Sequence, residues 1–290
     1  EHCGEPVTAA TWNVDLANQM GICVANEAMA AGVNGWYAPA INLHRTPFGG
    51  RCAEYYSEDP LLSGKICAAQ IQGVKTKGIY VYLKHFALND QDAKRGGMYT
   101  WATEQAVREI YLRGFEIGFK EGGAQAAMMG YNRIGPVENA VNRGLITNVL
   151  QQEWGTHAHC LTDGYAVMIG CDKYENPDIQ LRAGGGQLLN IMGFDGTNGL
   201  SEKSTESDKG LEMMHDMCKR MLYVYCNSNA MTTTRDYTPY WKWILGGVDV
   251  LLVGGVGLAW WKEHRRMKAA EEGDVKVIPG DGKAAGEKTE

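Results

Sequence analysis

The sequence predicts an α/β fold with parallel strands, of the (β/α)8 TIM-barrel type, followed by a C-terminal transmembrane helix. Three observations lead there. Short β-branched and aromatic runs alternate with amphipathic stretches of ten to twenty residues, the pattern of strands joined by crossover helices. Glycine, at 37 of 290 residues, gathers at the junctions between them. The run Tyr80-Val-Tyr-Leu-Lys84-His85-Phe-Ala-Leu-Asn89 passes from an apolar strand straight into Lys84 and His85, with Arg95 a few residues on in a Gly-rich loop. Polar residues crowded at a strand's C-terminal end mark the catalytic face of a barrel; a strand end reaching solvent is the plainer alternative. Adjacent strand residues alternate faces, so one of Lys84 and His85 should line a pocket and the other brace it.

Asn13 caps a first long helix expected to bury Leu16, Met20, Cys23, Val24 and Ala31, closed by Gly32. Gly35 to Leu43 reads as a strand, short or irregular because of Pro39. After a polar loop, Asp59-Pro60 starts a second helix, with Asp59 as cap and Pro60 in the first turn. The Tyr80 strand follows. Thr103 caps a helix that turns Val107, Ile110, Phe115 and Phe119 inward and stops at Gly122-Gly123. Ala124 to Tyr131 is strand-like and Leu145 to Trp154 helix-like; His159 to Thr162 is a short strand ending at Asp163. Asp195 to Gly210 reads as a polar loop and Leu211 to Cys226 as helix. A complete barrel takes ~250 residues, and the region up to Asn227 falls slightly short of that.

Composition narrows the class. At 44% hydrophobic and 21% charged the chain should fold around a real core, and a net charge of −6 with no basic stripe in the folded part argues against nucleic acid as a partner. Eight scattered cysteines form no CxxC pair and no zinc-type cluster with histidine, so most are expected to be buried small hydrophobes. No metal or other cofactor is expected. The chain begins at Glu1, without a leading signal peptide, and reads as a piece of something longer.

Trp243 to Trp261 is an apolar run broken only by Asp249, with tryptophans at both ends and Lys262, Arg265, Arg266 and Lys268 after it. Its length fits a bilayer, and the basic flank would face the cytoplasm, leaving residues 1 to about 240 outside the cell. Asp249 opposes the span by ~3 kcal/mol near the helix centre; a buried C-terminal helix is the other reading. The organisation expected is a partial barrel over 1–228, a linker over 229–240, a membrane helix over 241–262 and a charged cytoplasmic tail over 263–290.

Gly50-Arg51-x-x-Glu54, Ser57-Glu58-Asp59-Pro60, Lys84-His85-Phe86-x-x-Asn89, Arg95, Met128-x-x-Tyr131-Asn132 and Thr162-Asp163, in this order, resemble glycoside hydrolase family 3, the β-glucosidase branch, over residues 8 to 225. The resemblance implies a retaining exo-β-glycosidase acting on small β-glucosides or oligosaccharides, with β-xylosidase or α-arabinofuranosidase activity, or a catalytically incomplete sugar-binding fragment, as alternatives. It implies Asp163 as nucleophile; Arg51, Lys84, His85 and Arg95 around the sugar hydroxyls of the −1 subsite; and Met128 and Tyr131 lining it. Nearby cations would hold the Asp163 carboxyl in its ionised form, and Glu54 would orient a cation. His44, His157 and His159 carry no motif and read as structural. Glu153, Glu175, Glu202 and Glu206 match no acid/base motif; the resemblance places that glutamate on an α/β-sandwich domain, expected upstream of residue 1 together with the opening barrel strand. The family's tryptophan after the nucleophile is replaced by Gly164 and Tyr165. The β-N-acetylhexosaminidase branch is rejected, because Phe86 is followed by Ala87-Leu88-Asn89 and not Pro-Gly-His.

Overall fold

Parallel pairing of four short strands organises the N-terminal part of the computed structural model, which describes residues 2–164, 176–189, 199–232 and 240–274. The strands β1 (Gly35–Trp36), β2 (Tyr80–Phe86), β4 (Ala126–Met129) and β7 (His159–Thr162) lie side by side in that order. A single bridge from Leu161 to Gln187 extends the sheet past β7. A second, three-stranded sheet joins β3 (Tyr99–Thr100), β5 (Arg133–Ile134) and β6 (Val137–Glu138) in the order β3-β5-β6. The barrel expectation is met in part: consecutive parallel strands linked by helices are present, and among the described residues no closed ring of eight is seen.

The helices follow their predicted caps. Helix α1 (Glu5–Ala10) precedes α2 (Val14–Ala31), whose cap Asn13 accepts from the Asp15 and Leu16 amides and whose end is Gly32 at φ 76°. Helix α3 (Pro60–Lys75) is capped by Asp59 through the Leu61 and Leu62 amides. Thr103 accepts from the Ala106 amide to start α4 (Glu104–Ala106), which runs through a π-helical turn, Val107–Tyr111, into α5 (Arg113–Lys120). A second π-helical segment, Gly144–Glu153, leads to β7. Helices α6 (Pro177–Ala183), α7 (Glu202–Glu206) and α8 (Asp208–Cys226) complete this part. The expected loop over 195–210 is therefore helical from Glu202; its first residues, 195–198, lie outside the described ones. Around Pro39 the expected strand breaks after Trp36 and rejoins β2 only by a bridge from Ala40 to Lys84.

Strand alternation sorts the core into two faces. Val81, Leu83, Phe86, Ala127, Met129 and Cys160 join the large cluster that also holds α2, α3 and α5 residues. Tyr82, Ala126, Met128 and Leu161 form a smaller cluster on the other face. Burial on both faces is the signature of parallel strands, and β4 is buried at all four positions. Phe86 locks strand to helix through edge-on contacts with Phe115 (5.1 Å) and Phe119 (6.2 Å) and a tilted one with Trp154 (5.8 Å).

Helix α2 corrects the expectation for three of its residues. It buries Ala17, Gly21, Val24 and Ala25, whereas Leu16, Cys23 and Ala31 are exposed. The reason is its close approach to α3. A methyl group on Gly21 would overlap the Gln70 carbonyl, one on Gly73 would overlap the Asn18 carbonyl, and Asn18 Nδ2 donates to Ala69 O at 3.1 Å. Backbones this close leave room only for small residues, so the larger side chains turn outward. The cysteines also depart from expectation: Cys67 and Cys160 are buried, but Cys3, Cys23, Cys218 and Cys226 are exposed and Cys52 is half-buried, while Cys171 lies outside the described residues.

Two compact units divide the chain, 1–235 and 236–290. The described part of the second is one helix, α9 (Tyr240–Asp274), whose apolar residues are exposed. Mean hydropathy reaches 1.7 within Tyr240–Ala269, apolar enough and long enough to cross a membrane. It runs beyond Trp261 into the charged stretch, while 275–290 lie outside the described residues.

In α1, Glu5 is enclosed beside Gln70, which donates to it at 3.5 Å, and Tyr56. Burial pushes its carboxyl up to about 7, against opposing hydrogen bonds from Gln70 and Tyr56.

Two outcomes follow for stability. Gly73→Ala should cost about 1–3 kcal/mol by forcing α2 and α3 apart, measured by urea unfolding; a neutral or stabilising result would mean the helices do not meet there. A carboxyl raised in the folded state binds its proton more tightly there than when unfolded, so its stabilisation is present at low pH and is lost as pH rises from about 4.5 to about 7. The urea midpoint of Glu5→Gln should therefore pull progressively ahead of that of the unmodified chain across this window. A constant gap would show that Glu5 titrates normally.

Candidate active site

Asp163 sits directly after β7, at the C-terminal end of the parallel sheet, where α/β folds place their chemistry. Its Oδ1 accepts from the Gly164 amide at 2.7 Å and its Oδ2 lies 3.5 Å from His85 Nε2. Tyr131, just past β4, donates its hydroxyl to the Gly164 carbonyl at 2.7 Å. Over the Tyr131 ring, at 4.7 Å, lies the Arg95 guanidinium, itself paired with Asp92 at 2.6 Å. Glu54 holds the other two cations: Arg51 Nε donates to it at 2.6 Å and Lys84 Nζ at 3.3 Å. It thus orients cations, as expected.

Strand alternation does not separate Lys84 from His85. Pairing of β2 with β4 shifts register between Leu83 and Phe86, and the charges of both Arg51 and Lys84 bear on His85 and on Asp163 alike. Six of the seven residues expected at the site, Asp163, Arg51, Lys84, His85, Arg95 and Tyr131, therefore converge. Met128 does not reach the same level. It pairs with Leu161 and is buried with Tyr82 and Ala126, two residues back along the strands from the Asp163 end.

The electrostatic balance differs from the expected one. Burial raises the Asp163 carboxyl above its ordinary value, and the Gly164 amide, Arg51, Arg95 and Lys84 only partly oppose it. His85 is driven well below the usual imidazole range, first by burial and then by Arg51, Lys84 and Arg95. A neutral imidazole has one proton; with Nε2 turned to a carboxylate, that proton belongs on Nε2 as donor.

The sequence reading missed what holds His85 in place. Asn42 Nδ2 donates to the His85 carbonyl at 3.0 Å while its Oδ1 accepts from the His85 amide at 2.9 Å. Asn132 donates to the carbonyls of Ala87 and Leu88, both at 3.0 Å. Asn139 donates to Ala87 O at 2.7 Å and to Asn132 Oδ1 at 3.0 Å. Gly130 makes this possible: a methyl there would stand 2.5 Å from Asn132 Oδ1 and 3.2 Å from Asn139 Nδ2. The only signal in the sequence was the Tyr131-Asn132 pair; Asn42 and Asn139 lie in no motif.

The unassigned residues have structural places. His44 bonds to the Tyr55 carbonyl (2.9 Å), His159 to the Tyr82 hydroxyl (3.1 Å), and His157 packs on Tyr223 at 4.6 Å. Glu153 is tied to Arg108 at the surface, and Glu202 and Glu206 lie in α7. Tyr165 and Glu175 lie outside the described residues.

Residues 5–184 match the family model for the glycosyl hydrolase family 3 N-terminal domain. The chain belongs to glycosyl hydrolase family 3. It is 40% identical over 155 residues to beta-glucosidase A of Butyrivibrio fibrisolvens, covering 53% of this chain and 19% of that protein. An exo-alpha-(1->6)-L-arabinopyranosidase of Bifidobacterium breve is 38% identical over 155 residues, 53% of this chain and 20% of the relative. Among solved structures, beta-glucosidase 3B of Thermotoga neapolitana superimposes with a TM-score of 0.70 at 33% identity, covering 79% of this chain and 32% of the other. The chain thus spans about a fifth of the curated relatives' length, and its sheet and helices are those of a TIM-barrel-like α/β domain.

Proposed function

We propose that this chain carries the sugar-binding and nucleophilic half of a retaining exo-β-glycosidase, β-glucosidase-like in specificity. The observation that supports it is Asp163 at the end of β7, enclosed with His85 and within reach of the charges of Arg51, Lys84 and Arg95. In this reading an Asp163 oxygen attacks the anomeric carbon, the bond to the leaving oxygen breaks, and a glycosyl–aspartate ester forms; water then releases the sugar with retained configuration. Positive charge develops on the sugar ring in the transition state, and a carboxylate with little solvent around it interacts strongly with that charge. Arg51, Lys84 and Arg95 are donors suited to sugar hydroxyls, while the Nε2–H of His85 is turned to Asp163. The proton for the leaving oxygen comes from a carboxyl on an upstream sandwich domain. The arabinopyranosidase relatives favour a second reading, in which the same pocket takes a pentose. We propose further that α9 spans a membrane over Trp243–Trp261, with the domain outside, 229–240 as linker and 263–290 inside. Its length, hydropathy and basic flank support this.

Incubating the full-length protein with 2,4-dinitrophenyl 2-deoxy-2-fluoro-β-glucoside should leave one fluorosugar on the peptide containing Asp163. A label on another residue would sink the nucleophile assignment, and faster labelling by the arabinosyl analogue would favour the pentose reading. For the helix, protease added to intact cells should digest the domain and spare the tail. A full-length product that stays in solution without detergent would remove the anchor.

A further inference from the structure

Trp101 stands in an unusual position. It is 75% exposed, belongs to neither apolar cluster, and follows Met98 and Tyr99, which are 38% and 52% exposed. Single exposed apolar residues are ordinary, but a contiguous apolar patch marks a binding surface. The neighbours of Trp101, Tyr99 and Thr100, are paired in a sheet. Strand β3 pairs in parallel with β5, and the Gly135 amide donates to Thr100 O at 2.9 Å. A methyl on Gly135, at φ 55°, would lie 3.4 Å from Cη2 and Cζ3 of the indole, so the ring rests against bare backbone. Arg133 braces the β5–β6 hairpin through Glu138 at 2.8 Å and lies over the Tyr99 ring at 5.6 Å. The indole thus lies just past the end of β3, with Gly135 against one side and most of the ring open to solvent.

Its location gives that open face a use. Trp101 lies on the segment after β2 and Gly135 on the one after β4, so both belong to the sheet end that carries Asp163. A cavity of about 170 Å3 opens between Trp101, Met98, Thr46, Gln91 and Arg95. Arg95 is a wall common to this cavity and to the charged pocket, because it also lies over Tyr131 and its charge reaches Asp163. The charged pocket is deep: the side chains of His85, Lys84 and Arg95 are 1%, 14% and 16% exposed. It suits one sugar ring densely bonded through its hydroxyls. The adjoining cavity sets the indole and Tyr111 among polar side chains, Thr46, Gln91, Thr100 and Asn132 among them. That chemistry suits a second pyranose, which can lay a face of C–H bonds on an indole and turn its hydroxyls toward Thr46 and Gln91.

We propose that Trp101 is the stacking platform for the sugar on the leaving-group side of the scissile bond, so that the chain selects β-linked disaccharides and longer oligosaccharides. The proposal rests on the glycosidase reading above. Saturation-transfer NMR with methyl β-cellobioside tests it without turnover, using the chain carrying Asp163→Asn. Both glucose rings should receive saturation from this parent. Adding Trp101→Leu, which keeps apolar bulk at an exposed position and removes the flat face, should abolish saturation of the reducing-end ring, spare the other ring, and weaken affinity about two- to tenfold. Trp101→Phe should restore most of it, and Arg51→Ala should instead deplete the non-reducing ring. Undiminished reducing-end saturation in Trp101→Leu would overturn the proposal and make the patch a seat for another protein domain. Saturation of neither ring in the parent would overturn the glucosidase reading, and the subsite would fall with it.

Discussion

A buried strand end must satisfy its own backbone, and the site depends on how β2 does so. The segment from His85 to Asn89 lies inside the domain, where each unpaired amide or carbonyl costs about 1–3 kcal/mol. Asn42 serves both backbone groups of His85, and Asn132 and Asn139 take the carbonyls of Ala87 and Leu88. With the backbone fixed in this way, the His85 ring meets Asp163 and Lys84 meets Glu54. Phe86, the residue after His85, reaches the opposite face and binds the segment to α5. One short stretch thus carries site and core on opposite sides.

Charge in the site is arranged in linked pairs. Glu54 engages Arg51 and Lys84, and Asp92 engages Arg95. Each cation near Asp163 is thus paired with a carboxylate, Arg51 and Lys84 sharing one, and at Asp163 itself burial outweighs the three positive charges. The pairing also leaves the cations held in place before a sugar arrives, so little ordering is required at binding.

Local chemistry was legible in the sequence and distant packing was not. Asn13, Asp59 and Thr103 cap the helices assigned to them because a cap is decided within three residues. The site residues could be read because their types recur in a fixed order along the chain. The buried face of α2 could not: hydrophobicity favoured Leu16 and Cys23, but the approach of α3 at Gly21 and Gly73 decided the matter, and that contact joins helices some fifty residues apart. Asn42 and Asn139 escaped notice for a related reason. An asparagine bonding to backbone forty or fifty positions away leaves no spacing to detect. Trp101 lies in no motif, and only the fold shows that it rests against Gly135.

The asparagine frame has a further consequence for the environments this domain tolerates. Mobile ions weaken attractions between exposed charges, with a screening length of about 8–10 Å at ordinary ionic strength. Surface pairs such as Lys65 with Glu121 or Arg108 with Glu104 are open to that effect. Amide-to-carbonyl bonds among buried neutral groups have no net charge to screen. The backbone that presents His85 is therefore carried by contacts that neither salt nor the titration of carboxylates reaches, and salt acts on this pocket through the half-exposed Glu54 and Asp92 pairs, not through its frame.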